Sequence, residues 1–205
     1  GDEAVVRQLG ELFGLHRLAL EDVINVHQRA KVEQYGDHLF AVLRMVDVGQ
    51  ELGTEQLSLF LGRGFVLTFQ ENEGDCFDPV RERIRKGLGY IRQRGSDYLT
   101  YTLIDAVLDN YFPTLEQSGD VLDELERRVL RRPEKEIVEQ LYAIKKDLLV
   151  LRRAVWPMRD AVGSLLRDTT NMVTHETQVY LRDCYDHVVQ IMDMLENLRD
   201  LASSL

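Results

Sequence analysis

Cysteine is scarce in this 205-residue chain: there are two, Cys76 and Cys184, far apart and each without a second cysteine nearby. Neither a disulfide framework nor a cysteine-rich zinc site can be built from them, and a reducing compartment is expected. Proline occurs four times and tryptophan once. No stretch approaches the ~18 consecutive apolar residues of a membrane span, and Gly1-Asp2-Glu3 does not resemble the basic start of a signal peptide. Positive charge is also in short supply. Lys+Arg number 25 against 35 Asp+Glu, a net charge of -10, which argues against a partner held through its phosphate backbone and so against nucleic acid. What remains, 44% hydrophobic and 29% charged, has too many core-forming residues for disorder.

The chain divides into two styles of sequence. Over 1–97 Gly and Asx residues punctuate short mixed elements, the style of an α/β unit. Val6, Leu9 and Phe13 recur at helical spacing, and a second short helix is expected over 19–26 around Leu20, Val23 and Ile24. The apolar, β-branched runs 38–48, 55–61 and 65–70 predict a strand and then a hairpin, with Gly62-Arg63-Gly64 as its turn rather than a nucleotide loop. Asp78 followed by Pro79 predicts a helix start leading into a basic helix.

From residue 98 the pattern turns to long helices. A helical hairpin is expected over 98–172: one helix to about 131, bent at Pro113, then a second that restarts at Pro133-Glu134 and kinks at Pro157. Lone Trp156 is expected to anchor helix packing. A last helix, about 174–203, carries a heptad-like seam through Thr177, Cys184, His187/Val188, Ile191, Met194/Leu195, Leu198 and Leu201. Opposite it steps a polar stripe of Asp183, Asp186, Gln190, Asp193, Asn197 and Asp200. His187 and Asp186 lie within a turn of Asp183 and could join its surroundings, but His187 also fits the seam as an ordinary core residue, which is the reading preferred. The pattern stops mid-step at 202–205 without a Gly cap or a Pro, so the helix reads as cut short.

Several ordered motifs resemble one family. His16 to Val23 and His27 to Glu33, then Phe69-Gln70-Glu71 and Gly74 to Arg85, are similar to the matching segments of CorA-type magnesium transporters. The likeness continues through Asp97-Tyr98-Leu99, Leu103 to Ala106, Arg132 to Glu136, Trp156 to Arg159 and Tyr180 to His187. Arg17 and Ala30 depart from it, standing where the family usually has proline. The resemblance implies an α+β fold, an α/β/α sandwich with a mixed sheet followed by long helices, in which 173–205 is the start of a stalk helix. It further implies the cytoplasmic regulatory part of a divalent-ion transporter. The family's two membrane helices and Gly-Met-Asn pore signature are absent from this sequence, so the fragment is expected to be soluble and to meet the membrane only through helices it lacks.

The resemblance also implies a regulatory Mg2+ site between protomers of a homopentamer, with Co2+ or Ca2+ as substitutes. Carried over, it falls on Asp22 of one protomer and Asp183 of the next, with Glu21 and Asp105 in an adjacent position. Mg2+ suits such a set because it takes oxygen ligands and keeps most of its water, so one or two carboxylates suffice. No enzyme is expected: there is no P-loop, no nucleophile beside an obvious base and no DxD run. The alternatives are a helical scaffold without metal regulation and a relative handling cobalt or zinc.

Overall fold

The computed structural model describes residues 3–48, 52–131 and 135–205. Two short helices come first, α1 (Glu3–Phe13) and α2 (Arg17–Ile24), followed by four strands, β1 (Lys31–Tyr35), β2 (His38–Val48), β3 (Leu52–Gly62) and β4 (Phe65–Gln70). The strands pair in sequence order, and every pairing is antiparallel. The α+β class therefore holds, but the sheet is antiparallel where a mixed one was expected. The connections account for this: two residues join β1 to β2 and two join β3 to β4, too few for the crossover that a parallel pair needs. In the second turn Gly62 has a steric reason, since a Cβ there would lie 2.2 Å from the Phe65 ring. Strand β1 was not foreseen. Val32 is the lone aliphatic in KVEQY, and this edge strand takes its order from its pairing with β2.

The sheet is covered on both sides because its residues alternate. Phe40, Val42 and Phe60 face α1 and α2, packing with Leu15, Ala19 and Val23. Leu39, Ala41, Leu43 and Met45, with Leu57, Leu59 and Leu61, face the long helices. Phe40 and Phe60 are fully buried with ring centroids 4.7 Å apart, and burying each contributes about 1.5–3 kcal/mol.

After the sheet come α3 (Asp78–Lys86), α4 (Ser96–Asp109), α5 (Tyr111–Arg131), α6 (Lys135–Leu166) and α7 (His175–Ser204). Helix α3 ends at Gly87, which closes it in the left-handed region at φ 64°, so the expected basic helix is shorter than its sequence suggests. Its cap position is Phe77, and Asp78 is its first residue. The single helix expected over 98–131 is two, parted at Asn110. Pro113 lacks an N–H, and its ring would meet the carbonyl of Asp109 in a continuous helix. The proline instead occupies the first turn of α5, where an N–H has no partner within the helix. Helix α6 runs unbroken through Pro157, while the restart expected at Pro133-Glu134 lies outside the described residues.

The last helix begins within a residue of its expected start, capped by the Thr174 hydroxyl, which accepts from the Thr177 N–H. Leu181 and Ala202 complete its buried seam, and all six residues of its polar stripe are exposed. One apolar core runs from the sheet through α4, α5, α6 and α7. Buried Tyr111 ties the layers together by donating its hydroxyl to the Arg44 carbonyl on β2, 2.8 Å away.

Candidate metal centre

The contact between α4 and α7 is apolar along most of its length, through Ile104, Val107, Leu108, Cys184 and Val188. At its margin it is acidic. Asp105 and Asp109 lie one turn apart on α4, and Asp183 and His187 lie one turn apart on α7. The His187 Nδ1 stands 3.7 Å from Asp105 Oδ1 and 3.7 Å from Asp109 Oδ1, and its Nε2 stands 3.9 Å from Asp183 Oδ2. One ligand atom from each of Asp105, Asp183 and His187 can be chosen so that all lie within 4.8 Å of one another. The Phe112 ring meets the imidazole edge-on at 5.9 Å and fixes its outlook.

Electrostatically this corner is under-neutralised. Burial, then Asp109, pushes the Asp105 carboxyl up, with Asp183 adding to the rise and His187 and, more weakly, Arg83 opposing it. Burial and the same aspartates push the Cys184 thiol well above its ordinary value, so it stays protonated and points at Asp105 Oδ1, 3.8 Å away. The His187 Nδ1 is buried yet makes no hydrogen bond. Two carboxylates ~4 Å apart repel by about 4 kcal/mol at an effective dielectric near 20, and a dication between them reverses the sign. The residues present therefore fit a divalent ion: two carboxylate oxygens and an imidazole nitrogen without a hydrogen-bond partner.

About two turns earlier on α4, Asp97 meets the opposite environment. It accepts from the Thr174 N–H at 3.0 Å and from the Thr174 hydroxyl at 2.7 Å. Burial raises the Asp97 carboxyl, but these bonds, with donors from Thr177 and Tyr98, outweigh it and hold the carboxyl below its usual value. Asp168, in the α6–α7 loop, is served likewise by the N–H groups of Thr170, Met172 and Val173. These two acids are structural and saturated.

Of the four residues singled out in the sequence, the fold brings two together, Asp105 and Asp183. Asp22 and Glu21, on α2, are not in the cluster: Asp22 pairs with Lys31 at 2.7 Å, and exposed Glu21 pairs with Arg17 at 3.3 Å. Of the two places the sequence offers His187, the apolar seam and the surroundings of Asp183, the structure favours the second: it is the junction of the cluster, with 28% of its side chain exposed. Its i,i+4 relation to Asp183 was a visible signal, whereas its neighbours on α4 were not. Asp109 was legible only as the i,i+4 partner of Asp105.

Comparison with known proteins places these features. The profile described as "CorA-like Mg2+ transporter protein" matches residues 2–205. The chain is 50% identical over 204 residues to the cobalt/magnesium transport protein CorA of Thermotoga maritima, covering 98% of this chain and 58% of that protein. It is 31% identical to the putative metal ion transporter YfjQ of Bacillus subtilis, covering 96% of this chain and 61% of that protein. The chain thus spans about three fifths of the length of these relatives. In fold it is similar to the soluble domain of CorA from Methanocaldococcus jannaschii, with TM-score 0.88 at 19% identity over 99% of this chain and 82% of that one.

Proposed function

The chain belongs to the CorA-like Mg2+ transporter family, and on that premise we propose that it is the ion-sensing part of a divalent-cation transporter lying at the cytoplasmic face of the cell membrane. The observation that carries this reading is the Asp105, Asp183 and His187 corner, where three ligand-bearing side chains converge. No described helix is long and apolar enough to cross a membrane, so conduction belongs to other parts of the intact protein.

In this reading Mg2+ is held where protomers of a homopentamer meet. Asp22 of one protomer faces Asp183 of the next, and Glu21 and Asp105 serve the adjoining position. The exposure of Asp183, 68% of its side chain, leaves it free to take part. Asp22 is neutralised by Lys31 within its own protomer, so the ammonium must turn aside when the shared site fills. The acids then hold neighbouring stalks together and favour the closed state; with the site empty they repel, and the protomers part. We assign the acids no catalytic role, since Cys184, the cluster's one candidate nucleophile, is kept as a thiol by its surroundings.

His187 supports a second reading on the choice of ion. An imidazole nitrogen beside two carboxylates suits Co2+ at least as well as Mg2+, whereas carboxylates alone would favour Mg2+. Thermal unfolding with light scattering, titrated with Mg2+ and Co2+ at constant ionic strength, tests both. A ligand at ten times its Kd adds ~1.4 kcal/mol. We expect a saturable rise in midpoint that Asp183→Ala abolishes, with Asp22→Ala lowering any gain in mass. A flat response to both ions in the assembled full-length protein would leave only the helical scaffold. In flux assays the full-length Asp183→Lys variant should lose inhibition by internal Mg2+.

A further inference from the structure

On a chain with ten more acidic than basic charges, one groove has no carboxylate among the described residues that line it. It lies between the α2–β1 loop and the middle of α6. Two adjoining cavities of about 270 and 470 Å³ share Arg29 and Arg153 in their walls; Arg44 lines the first, and Arg152, Leu149 and Trp156 line the second. The four arginines are not equivalent. Arg44 is committed, donating to the carbonyls of Val26 and Thr54 and lying 3.6 Å from Glu71. Arg152 pairs with Glu196 at 3.3 Å and covers the Trp156 ring at 4.9 Å. Arg29 and Arg153 are exposed and, among the described residues, take part in no hydrogen bond or ion pair.

Two uncommitted guanidinium forks lining one concavity, with a partly engaged third at its base, make a receptor for oxyanions. Each planar fork presents paired N–H donors that match phosphate oxygens in a way an ammonium cannot. The far end of the groove is apolar and aromatic, where Leu149, Trp156 and Pro157 line the larger cavity. The larger cavity alone, about 470 Å³, falls in the range of small-molecule sites and exceeds what a lone anion needs. We propose that this groove binds a nucleoside di- or triphosphate, with its phosphates between Arg29 and Arg153 and its ring against the Trp156 side.

The site is separate from the acidic corner and independent of the ion-sensing reading, so it can be tested with divalent ions chelated. Trp156 is the chain's single tryptophan, and its emission reports directly on the groove. Calorimetry and tryptophan fluorescence would follow titration of the protein in EDTA with ADP, ATP, pyrophosphate and adenosine. We expect saturable binding of ADP and ATP, quenching of Trp156 and weakening with added salt. Arg29→Gln and Arg153→Gln should each raise Kd at least about tenfold, and Arg153→Lys should recover only part of the loss. Arg7→Gln, which alters an exposed arginine on α1, should change nothing. Both groove arginines are exposed, so the variants' unfolding midpoints should match the parent and exclude misfolding as the cause. Pyrophosphate binding as tightly as ADP would keep the phosphate site and strike out the ring contact. The proposal is overturned by the absence of saturable binding up to about 10 mM nucleotide, or by undiminished binding in the double Arg29→Gln/Arg153→Gln variant. It also fails if nucleotide does not bind and the groove arginines are instead needed for concentration-dependent self-association.

Discussion

Asp97 and Asp105 stand on the same helix, are both largely buried, and face the same partner helix, yet their surroundings have opposite sense. Asp97 looks at the start of α7, where N–H and hydroxyl groups converge on it, and it is held ionised. Asp105 looks at the middle of α7, where backbone donors are already spent within the helix, and it finds Asp183, a weakly donating thiol and a histidine shared with Asp109, with one long hydrogen bond of 3.5 Å from the Tyr101 hydroxyl on its own helix. Its carboxyl is pushed up. A carboxylate at a helix N-terminus is satisfied by the fold, while one against a helix middle needs a counter-ion from elsewhere.

Removing Asp97 should do the most damage. Asp97→Ala strands the first turn of α7 and should cost about 2–4 kcal/mol, lowering the unfolding midpoint by roughly 5–12 °C. The pH dependence has a definite sign. The folded pKa of Asp97 lies below its unfolded value, so its contribution is complete above about pH 4 and fades as pH falls toward the folded value. Asp97→Asn should flatten that acid limb in pH-dependent denaturation, and an unchanged limb would break the contrast.

The next effect in size is on metal response. His187→Ala should raise the Co2+ concentration at half-maximal stabilisation by about tenfold and the Mg2+ value by less, read from thermal shifts. Equal losses for both ions would show that the imidazole only positions the acids.

Asp105→Asn should act in the opposite direction to Asp97→Ala in the absence of metal, raising the midpoint by about 1–3 °C. Here the folded pKa lies above the unfolded one, so the protonated carboxyl is favoured and stability falls as pH rises between the two values. The variant removes that fall, and a loss of stability in calorimetry would mean that Asp105 is a structural acid like Asp97. The smallest change belongs to Glu21→Gln. Its pair with Arg17 is exposed on both sides, and stability should move by no more than about 0.5 kcal/mol in denaturant titration.

Much of this was legible in the residues. The apolar, β-branched run over 38–48 marked a strand, and the steps of three and four from Thr177 to Leu201 marked α7 with its polar stripe opposite. The motifs around Glu21-Asp22 and Asp183 pointed to the family. Other features were not legible. Strand β1 has too little apolar pattern to announce itself and exists because β2 offers it a ladder. The break at Asn110 depended on whether a proline three residues later would bend a helix or begin one, which local sequence does not decide. His187 was ambiguous because seam and stripe meet at its position, and only the partner across the interface assigns it to the acids.

The sequence by itself determined the long strands β2 to β4, the course of α6 and α7 and the acidic composition of α7, because these follow from the spacing of apolar and charged residues along one chain. The tertiary structure alone decided which carboxylates are richly supplied with donors and which have only long, weak ones. That depends on what stands opposite them across the α4–α7 contact, where residues nearly eighty positions apart meet, and a difference between a donor and an acceptor there reverses the sign of the interaction.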